Sequence, residues 1–333
     1  MSVILSKTNE PCATSMARAY FEFLRDGMKA NENLMHVEAD LGLSLLKLDS
    51  AYIQDKYPFQ YLDVGIQEAN AVCVAAGLSA VGFVPFVHTF APFMCRRACD
   101  QVFISGAYSK SNVKLIGSDP GVMAAFNGGT HMPFEDVAIM RAIPEMNIVE
   151  PSDTVLAKEV FKLAAETEGM FYIRFTRKQA AKLYEEGSTF TLGKGNVIKE
   201  GSDVTIIACG IMVEEGLEAV EQLKAQGVSA RLIDMFTIKP IDRALIVESA
   251  KKTGAIVTVE NHNTIGGLGD AVTKVVMEAC MVPVERVGVE DRFGQVGDVE
   301  FLKEEYGLTA QNIVEKAKLA ISKKATHTIC NFT

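Results

Sequence analysis

Residues 61–87, YLDVGIQEANAVCVAAGLSAVGFVPFV, decide the fold. The run at 61–64 is strand-like, 66–80 is a helix of small apolar residues, and FVPFV (83–87) is a second strand. The same alternation continues outward in both directions. Upstream, residues 13–30 carry apolar groups at helical intervals, and LMHVEA (34–39) reads as a buried strand. Downstream come a helix over about 92–105, the strand VKLIG (113–117), a Gly-rich loop at 121–130 and a helix near 134–142. NIVE (147–150), a helix near 153–166 and MFYIRF (170–175) complete this half. Strands alternating with helices in this way predict an α/β domain, its mostly parallel sheet covered by helices on both faces.

A second α/β series follows the polar stretch EEGSTFTLGKGN (185–196). VTIIACG (204–210) is a strand, and the next helix shows Val213, Leu217, Val220 and Leu223 on one face before Gly227 ends it. ARLIDM, a Lys239-Pro240 loop, a helix, AIVTVE (255–260), a Gly-rich turn, another helix and VERVGV (284–289) come after it. The expected division is a first domain over 8–184, a linker over 185–196, a second domain over 197–323 and a fraying tail over 324–333.

Composition narrows the function. The chain has 333 residues, 48% of them hydrophobic, with 33 basic and 42 acidic side chains and a formal charge of −9. These are the proportions of a folded globular protein with room for two cores. The acidic balance excludes a nucleic-acid binder that works by phosphate neutralisation. No apolar run approaches the length of a membrane span, and the N-terminus turns polar too early for a signal peptide. Seven scattered cysteines read as reduced thiols, so the expected location is the cytoplasm.

Most familiar catalytic patterns are absent: there is no phosphate-binding loop, no C-x-x-C, no H-E-x-x-H and no G-x-S-x-G. Gly266-Gly267-Leu268-Gly269 reads better as a tight strand-to-helix turn than as a nucleotide site, and Cys95 and Cys99 as helix thiols without function. Two segments carry more. In LDVGIQEANAV, Glu68 opens an otherwise apolar helix directly after a strand, either as an exposed first-turn acid or as a buried one. In AFNGGTHMPFED, a mobile Gly-Gly pair delivers His131 beside a helix start. Taken singly, neither decides a chemistry.

In chain order, D-V-G-I-x-E, F-V-x-T-F, G-x-T-H and R-A-I-P-x-M resemble the C-terminal half of transketolases, and most of all the stand-alone C-terminal subunit of split transketolases. EADLG (38–42), RRACDQV (96–102), VEPSD (149–153), IRFTR (173–177), KEGSDVTIIACG (199–210), ENHNTIGGLG (260–269) and VEDRFGQVG (289–297) extend the likeness over about residues 10–322. The resemblance implies a pyrimidine-binding domain followed by a transketolase C-terminal domain. It also implies thiamine diphosphate, whose aminopyrimidine deprotonates its own thiazolium carbon when a carboxylate shares a proton with the pyrimidine ring nitrogen. That carboxylate falls on Glu68. By the same likeness Phe90 and Phe93 stack on the pyrimidine, and Asp40 and Leu41 line the cofactor site. His131 relays protons between cofactor and substrate, while Ser44, Asp119, Asn127 and Arg177 lie near substrate. Arg97 matches a recurrent family arginine of open role.

The G-D-G motif that holds the diphosphate and its Mg²⁺ in this family occurs nowhere in the chain. The oxygen ligands Mg²⁺ needs are therefore expected from a partner, an N-terminal transketolase subunit, with two copies of each subunit in the assembly. The implied activity is transfer of a two-carbon ketol unit from a ketose donor to an aldose acceptor. Departures from the pattern bear on the substrate: Ser15 replaces an arginine, Asn127 an aspartate, and the stretch after Asp40-Leu41 is apolar at Leu45 and Leu46. The β subunit of a 2-oxoacid dehydrogenase shares the two-domain plan, but the loop THMPFED and the segment VEDRFGQ favour transketolase. Deoxyxylulose-phosphate synthase keeps all three domains on one chain. Glu68 speaks against a third alternative, a non-catalytic interaction paralogue.

Overall fold

Alternation of buried side chains to opposite faces of each strand is what fixes the first domain. The computed structural model describes residues 3–7, 10–41 and 52–330, the last six without their side chains. Strands β1 (Leu34–Glu38), β2 (Tyr61–Asp63), β3 (Val84–Phe90), β4 (Lys114–Ser118), β5 (Asn147–Val149) and β6 (Phe171–Phe175) are all parallel. Phe86, Ile116 and Ile173 face one core, and their neighbours Val87, Leu115 and Tyr172 face the other. Helix α1 (Met16–Ala30) covers the first face with Met16, Tyr20, Leu24 and Met28, and helix α2 (Glu68–Ala80) covers the second with Ala71, Val72 and Ala75. Ser15 caps α1, its hydroxyl accepting from the Arg18 amide at 3.2 Å.

The expected helix over 92–105 is not continuous. It is built as Phe93–Arg97 and Val102–Tyr108, both π-helical, around the single turn Cys99–Gln101. Such wide turns rotate side chains off the regular register and recur at functional sites. Helices α3 (Asp136–Ala142) and α4 (Thr154–Glu166) complete the layers. Asp153 caps α4, and its second oxygen takes the amides of Leu183 and Tyr184, both at 2.9 Å, which ties down the start of the linker.

The second domain has strands in the order β12-β11-β8-β9-β7, namely Val284–Val289, Ile256–Asn263, Val204–Ala208, Ala230–Asp234 and Asn196–Lys199, with β7 antiparallel at the edge. Helices α5 (Met212–Ala225), α6 (Arg243–Thr253), α7 (Leu268–Ala279), α8 (Val299–Tyr306) and α9 (Ala310–Cys330) flank it. Two features differ from the sequence reading. Strand β10 (Thr237–Lys239) leaves the second domain to pair antiparallel with β5, becoming the seventh strand of the first sheet. The segment expected to fray from residue 324 instead prolongs α9 to Cys330, since extending a nucleated helix costs far less than starting one. Lys324 joins it to the body by donating to the Asp203 carbonyl. Among the described residues no helix is long and apolar enough to cross a membrane.

Candidate active site

The site grows where β1, β3, β4 and β6 end, the carboxyl edge at which parallel sheets place their ligands. Glu68 is the first residue of α2 and is 2% exposed. It is thus the buried acid rather than the exposed first-turn one. Arg97, whose place in the chemistry the sequence left open, donates through Nη1 to both Glu68 oxygens, at 2.8 and 2.7 Å. Thr89 Oγ1 donates to Oε1 at 3.4 Å. The Arg97 guanidinium also lies 4.2 Å from the centre of the Phe93 ring, a cation–π contact.

Above this pair stand three rings. Phe90 and Phe93 are 6.2 Å apart, and His131 sits 5.5 Å from Phe90 and 5.0 Å from Phe93, each pair edge to face. Arg177 lies 4.8 Å from the Phe90 ring centre and is held by Asp119, whose oxygens take its Nε at 2.5 Å and its amide at 2.8 Å. Glu68, Phe90, Phe93, Asp119, His131 and Arg177 therefore form one linked group. Asp40, just beyond β1, is exposed in a left-handed conformation (φ 59°), its amide donating to Asp63 at 3.1 Å. Leu41 follows it, half-buried, and Asn127 is exposed at the end of the turn Gly121–Asn127. Ser44, with Leu45 and Leu46, lies outside the described residues.

His131 Nδ1 pairs with Thr130 Oγ1 at 2.9 Å, leaving Nε2 as the nitrogen that can face a substrate. Burial, then the charges of Arg96 and Arg97, lower its pKa and favour the neutral imidazole. The Gly128-Gly129 pair, read as mobile, is packed instead: a Cβ on Gly128 would lie 2.8 Å from Val296 Cγ2, and one on Gly129 would overlap the Gly294 carbonyl.

A buried polar chain runs beneath the strand ends. His36 Nδ1 meets Tyr20 OH at 3.1 Å and its Nε2 meets Glu38 at 3.1 Å; His88 Nδ1 meets Glu38 at 3.0 Å and its Nε2 meets Ser118 at 3.1 Å. Burial pushes the Glu38 carboxyl up, but the attraction of the two imidazoles outweighs it and holds the group at about 2. Among the described residues this is the sole cluster with metal-ligand spacing, and two imidazoles with one carboxylate are not the all-oxygen set of Mg²⁺. The Gly266–Gly269 turn holds no anion site either, because the Glu260 carboxylate already occupies the amides of Leu268 and Gly269, at 2.6 and 2.8 Å. A buried carboxylate beside flat aromatic faces fits an aminopyrimidine. The described residues offer nothing comparable for a diphosphate with its metal.

Two α/β domains in this order are the plan of the C-terminal half of a transketolase, a family that uses thiamine diphosphate. The transketolase pyrimidine-binding domain matches residues 13–182 and the transketolase C-terminal domain matches residues 193–313. The chain belongs to the transketolase family and is a C-terminal subunit of the split kind. It is 45% identical over 306 residues to the 6-deoxy-6-sulfo-D-fructose transketolase subunit SqwH of Clostridium sp. (strain MSTE9), covering 92% of this chain and 94% of that one. It is 34% identical over 307 residues to a subunit of the apulose-4-phosphate transketolase of Phocaeicola vulgatus, covering 92% and 97%. A solved split-gene transketolase, described as an inactive β4 tetramer, superposes with a TM-score of 0.85 at 39% identity, over 94% of this chain and all of that one.

The environment of His131 sets a titration. In NMR of the full chain its imidazole titrates below the ordinary value of ~6.5, and Arg96→Gln moves it upward, since removing a nearby cation favours the protonated ring. A value above 7 in the parent protein would contradict this placement.

Proposed function

We propose that this chain performs the acid–base half of ketol transfer, and that a separate N-terminal subunit completes the site with the diphosphate and Mg²⁺ ligands, two copies of each subunit associating. The observation that carries the reading is Glu68, buried at the start of α2 and bonded by Thr89 and by Arg97, whose guanidinium lies on the Phe93 ring. Thiamine diphosphate supplies the carbon nucleophile that carries the two-carbon unit. Glu68 would share a proton with the pyrimidine ring nitrogen, and Arg97 keeps the carboxylate aimed. Phe90 and Phe93 exclude water and fix the plane of the ring, with Asp40 and Leu41 lining the rest of the cofactor site. Neutral His131 takes and returns substrate hydroxyl protons at Nε2. Arg177, aligned by Asp119, meets the substrate's polar end, with Asn127 on its approach. A cytoplasmic setting suits the reduced thiols.

The substrate is read from what is missing. Where transketolases place an arginine for sugar phosphates, Ser15 is the cap of α1. One cation fewer suits a monoanionic terminus better than a dianionic phosphate, because each lost charged hydrogen bond forfeits about 1.5–3 kcal/mol. We therefore assign a ketose with a terminal sulfonate as the preferred donor, a choice the likeness to the 6-deoxy-6-sulfo-D-fructose transketolase subunit supports.

Three measurements test this. With the partner subunit present, Glu68→Ala lowers turnover on the order of 10³-fold or more, at ~1.4 kcal/mol of barrier per factor of ten, while gel filtration still shows the assembled complex. Turnover within tenfold of the parent would end the assignment. Calorimetry with Mg²⁺ shows thiamine diphosphate binding to the mixed subunits and not to this chain alone; tight binding by the isolated chain would mean that the half-site reading is wrong. In a donor panel, a 6-sulfonated ketose gives a higher kcat/KM than xylulose 5-phosphate, with ribose 5-phosphate and a non-phosphorylated aldose as acceptors. The reverse order would refute the sulfonate assignment and leave the rest standing. Ser15→Arg does not restore phosphate preference cheaply, because it also removes a helix cap worth ~1 kcal/mol.

A further inference from the structure

The segment from Pro120 to Phe134 carries His131 from the end of β4 to α3, and it has little structure of its own. It consists of the turns Gly121–Asn127 and Gly129–His131, with left-handed backbone at Gly121 (φ 55°) and at Ala125 (φ 46°). Within its own domain it is tied by the Gly121 amide to the Pro133 carbonyl at 3.2 Å, and by Arg96 Nη2 to the Thr130 carbonyl at 3.1 Å.

Further ties come from the other domain. Asn261, on β11, is fully buried. Its Oδ1 accepts from the Val122 amide at 3.0 Å, and its Nδ2 donates to the Pro120 carbonyl at 3.0 Å. One side-chain amide thus replaces the backbone partners on both sides of Gly121, where a Cβ would overlap it. Asn261 is itself anchored, since its carbonyl accepts from Arg174 Nη2 at 3.1 Å. Two residues on, the Asn263 amide donates to the Phe134 carbonyl at 2.8 Å, gripping the far end of the loop. Between the grips, Gly294 and Val296 pack against Gly129 and Gly128, and a Cβ on Gly294 would come within 2.7 Å of Met132 Cβ.

We propose that Asn261 of the C-terminal domain is a positioning residue that sets the His131 loop, so that the second domain works as the template for a side chain of the first domain's active site. Asn261 touches neither the ring trio nor Glu68. It acts through the path of the chain from Val122 to His131, whose ring must stay against Phe90 and Phe93. The inference rests on the reading of His131 as the proton-handling group.

The test uses the complete enzyme, this chain with its partner subunit. Asn261→Ala lowers kcat about 100-fold, the scale of a misplacement near 1 Å, while thiamine diphosphate affinity stays within about threefold of the parent and KM changes less than kcat. The acidic limb of the pH–rate profile moves upward as His131 loses its sheltered position. The Val122 amide exchanges with solvent faster, relative to amides of β8 and β9. Asn261→Asp, which keeps the acceptor for Val122 and loses the donor to Pro120, gives an intermediate effect. Gly294→Ala, which presses on Met132 from the opposite side, gives the same kcat loss and decides the matter if Asn261→Ala does not fold. Unchanged exchange at Val122, or kcat within threefold in a folded variant, would overturn the proposal. If His131→Ala turns over normally, the reading of His131 fails, while exchange at Val122 still reports whether Asn261 sets the loop.

Discussion

The fully buried guanidinium of Arg174 is the interaction on which the arrangement depends. Its Nε lies 2.9 Å from Asp136, its Nη1 3.0 Å from Glu150, and its Nη2 donates to the Asn261 carbonyl at 3.1 Å. Burial lowers its pKa, but the two carboxylates outweigh that and push it above the ordinary range. Each acid is held in turn: Tyr172 OH donates to Asp136 at 2.7 Å, and Cys209, from the second domain, donates its thiol to Glu150 at 3.3 Å. An unpaired charge at this depth is prohibitively costly. Both ion pairs lie within the first domain, and the second domain meets them through neutral groups, the Asn261 carbonyl and the Cys209 thiol, so separating the domains would leave buried hydrogen-bonding groups without partners. Strand β10 adds a backbone ladder to the same junction.

That fixed junction matters because the site lies on the border of the first sheet. Glu38, His88 and Ser118 lock together the ends of β1, β3 and β4, with Glu38 directly opposite His88 in register. The chain leaves the sheet just beyond them, at Asp40, Phe90 and Asp119. Asp40 and Asp119 are non-glycine residues at positive φ, 59° and 51°. Such conformations persist only where the surroundings overdetermine them. Below Asp119 that work is done by the buried polar chain, and above it by the ion pair with Arg177.

Much of this is legible in the sequence, and the failures share one cause. Periodicity places nearly every strand and helix within a few residues, because it reports which side chains share a face. It identifies Glu68 and His131 as unusual without saying where their partners are. The burial of Glu68 depends on Arg97, a full helical segment away. The Gly128-Gly129 pair reads as mobile because the atoms that crowd it, Gly294 and Val296, belong to the other domain. Strand β10 reads as loop because a three-residue strand gains its identity from β5, not from its own sequence. The π-helical turns around Phe93 have no sequence period of their own, so they read as ordinary helix.

The pairing of Glu68 with Arg97 also explains how this chain keeps a carboxylate buried. A carboxylate at 2% exposure would be costly without donors, yet an acid locked between donors on every side could not accept a ligand. Arg97 resolves the conflict by geometry. One nitrogen, Nη1, spans both oxygens, and the arginine side chain itself is 46% exposed, lying on the face of Phe93 rather than inside the core. Were an aminopyrimidine bound, one Glu68 oxygen could face its ring nitrogen while Nη1 kept the other, so the acid would keep a partner throughout. The acid is thereby preorganised by side chains of this chain, Arg97 and Thr89.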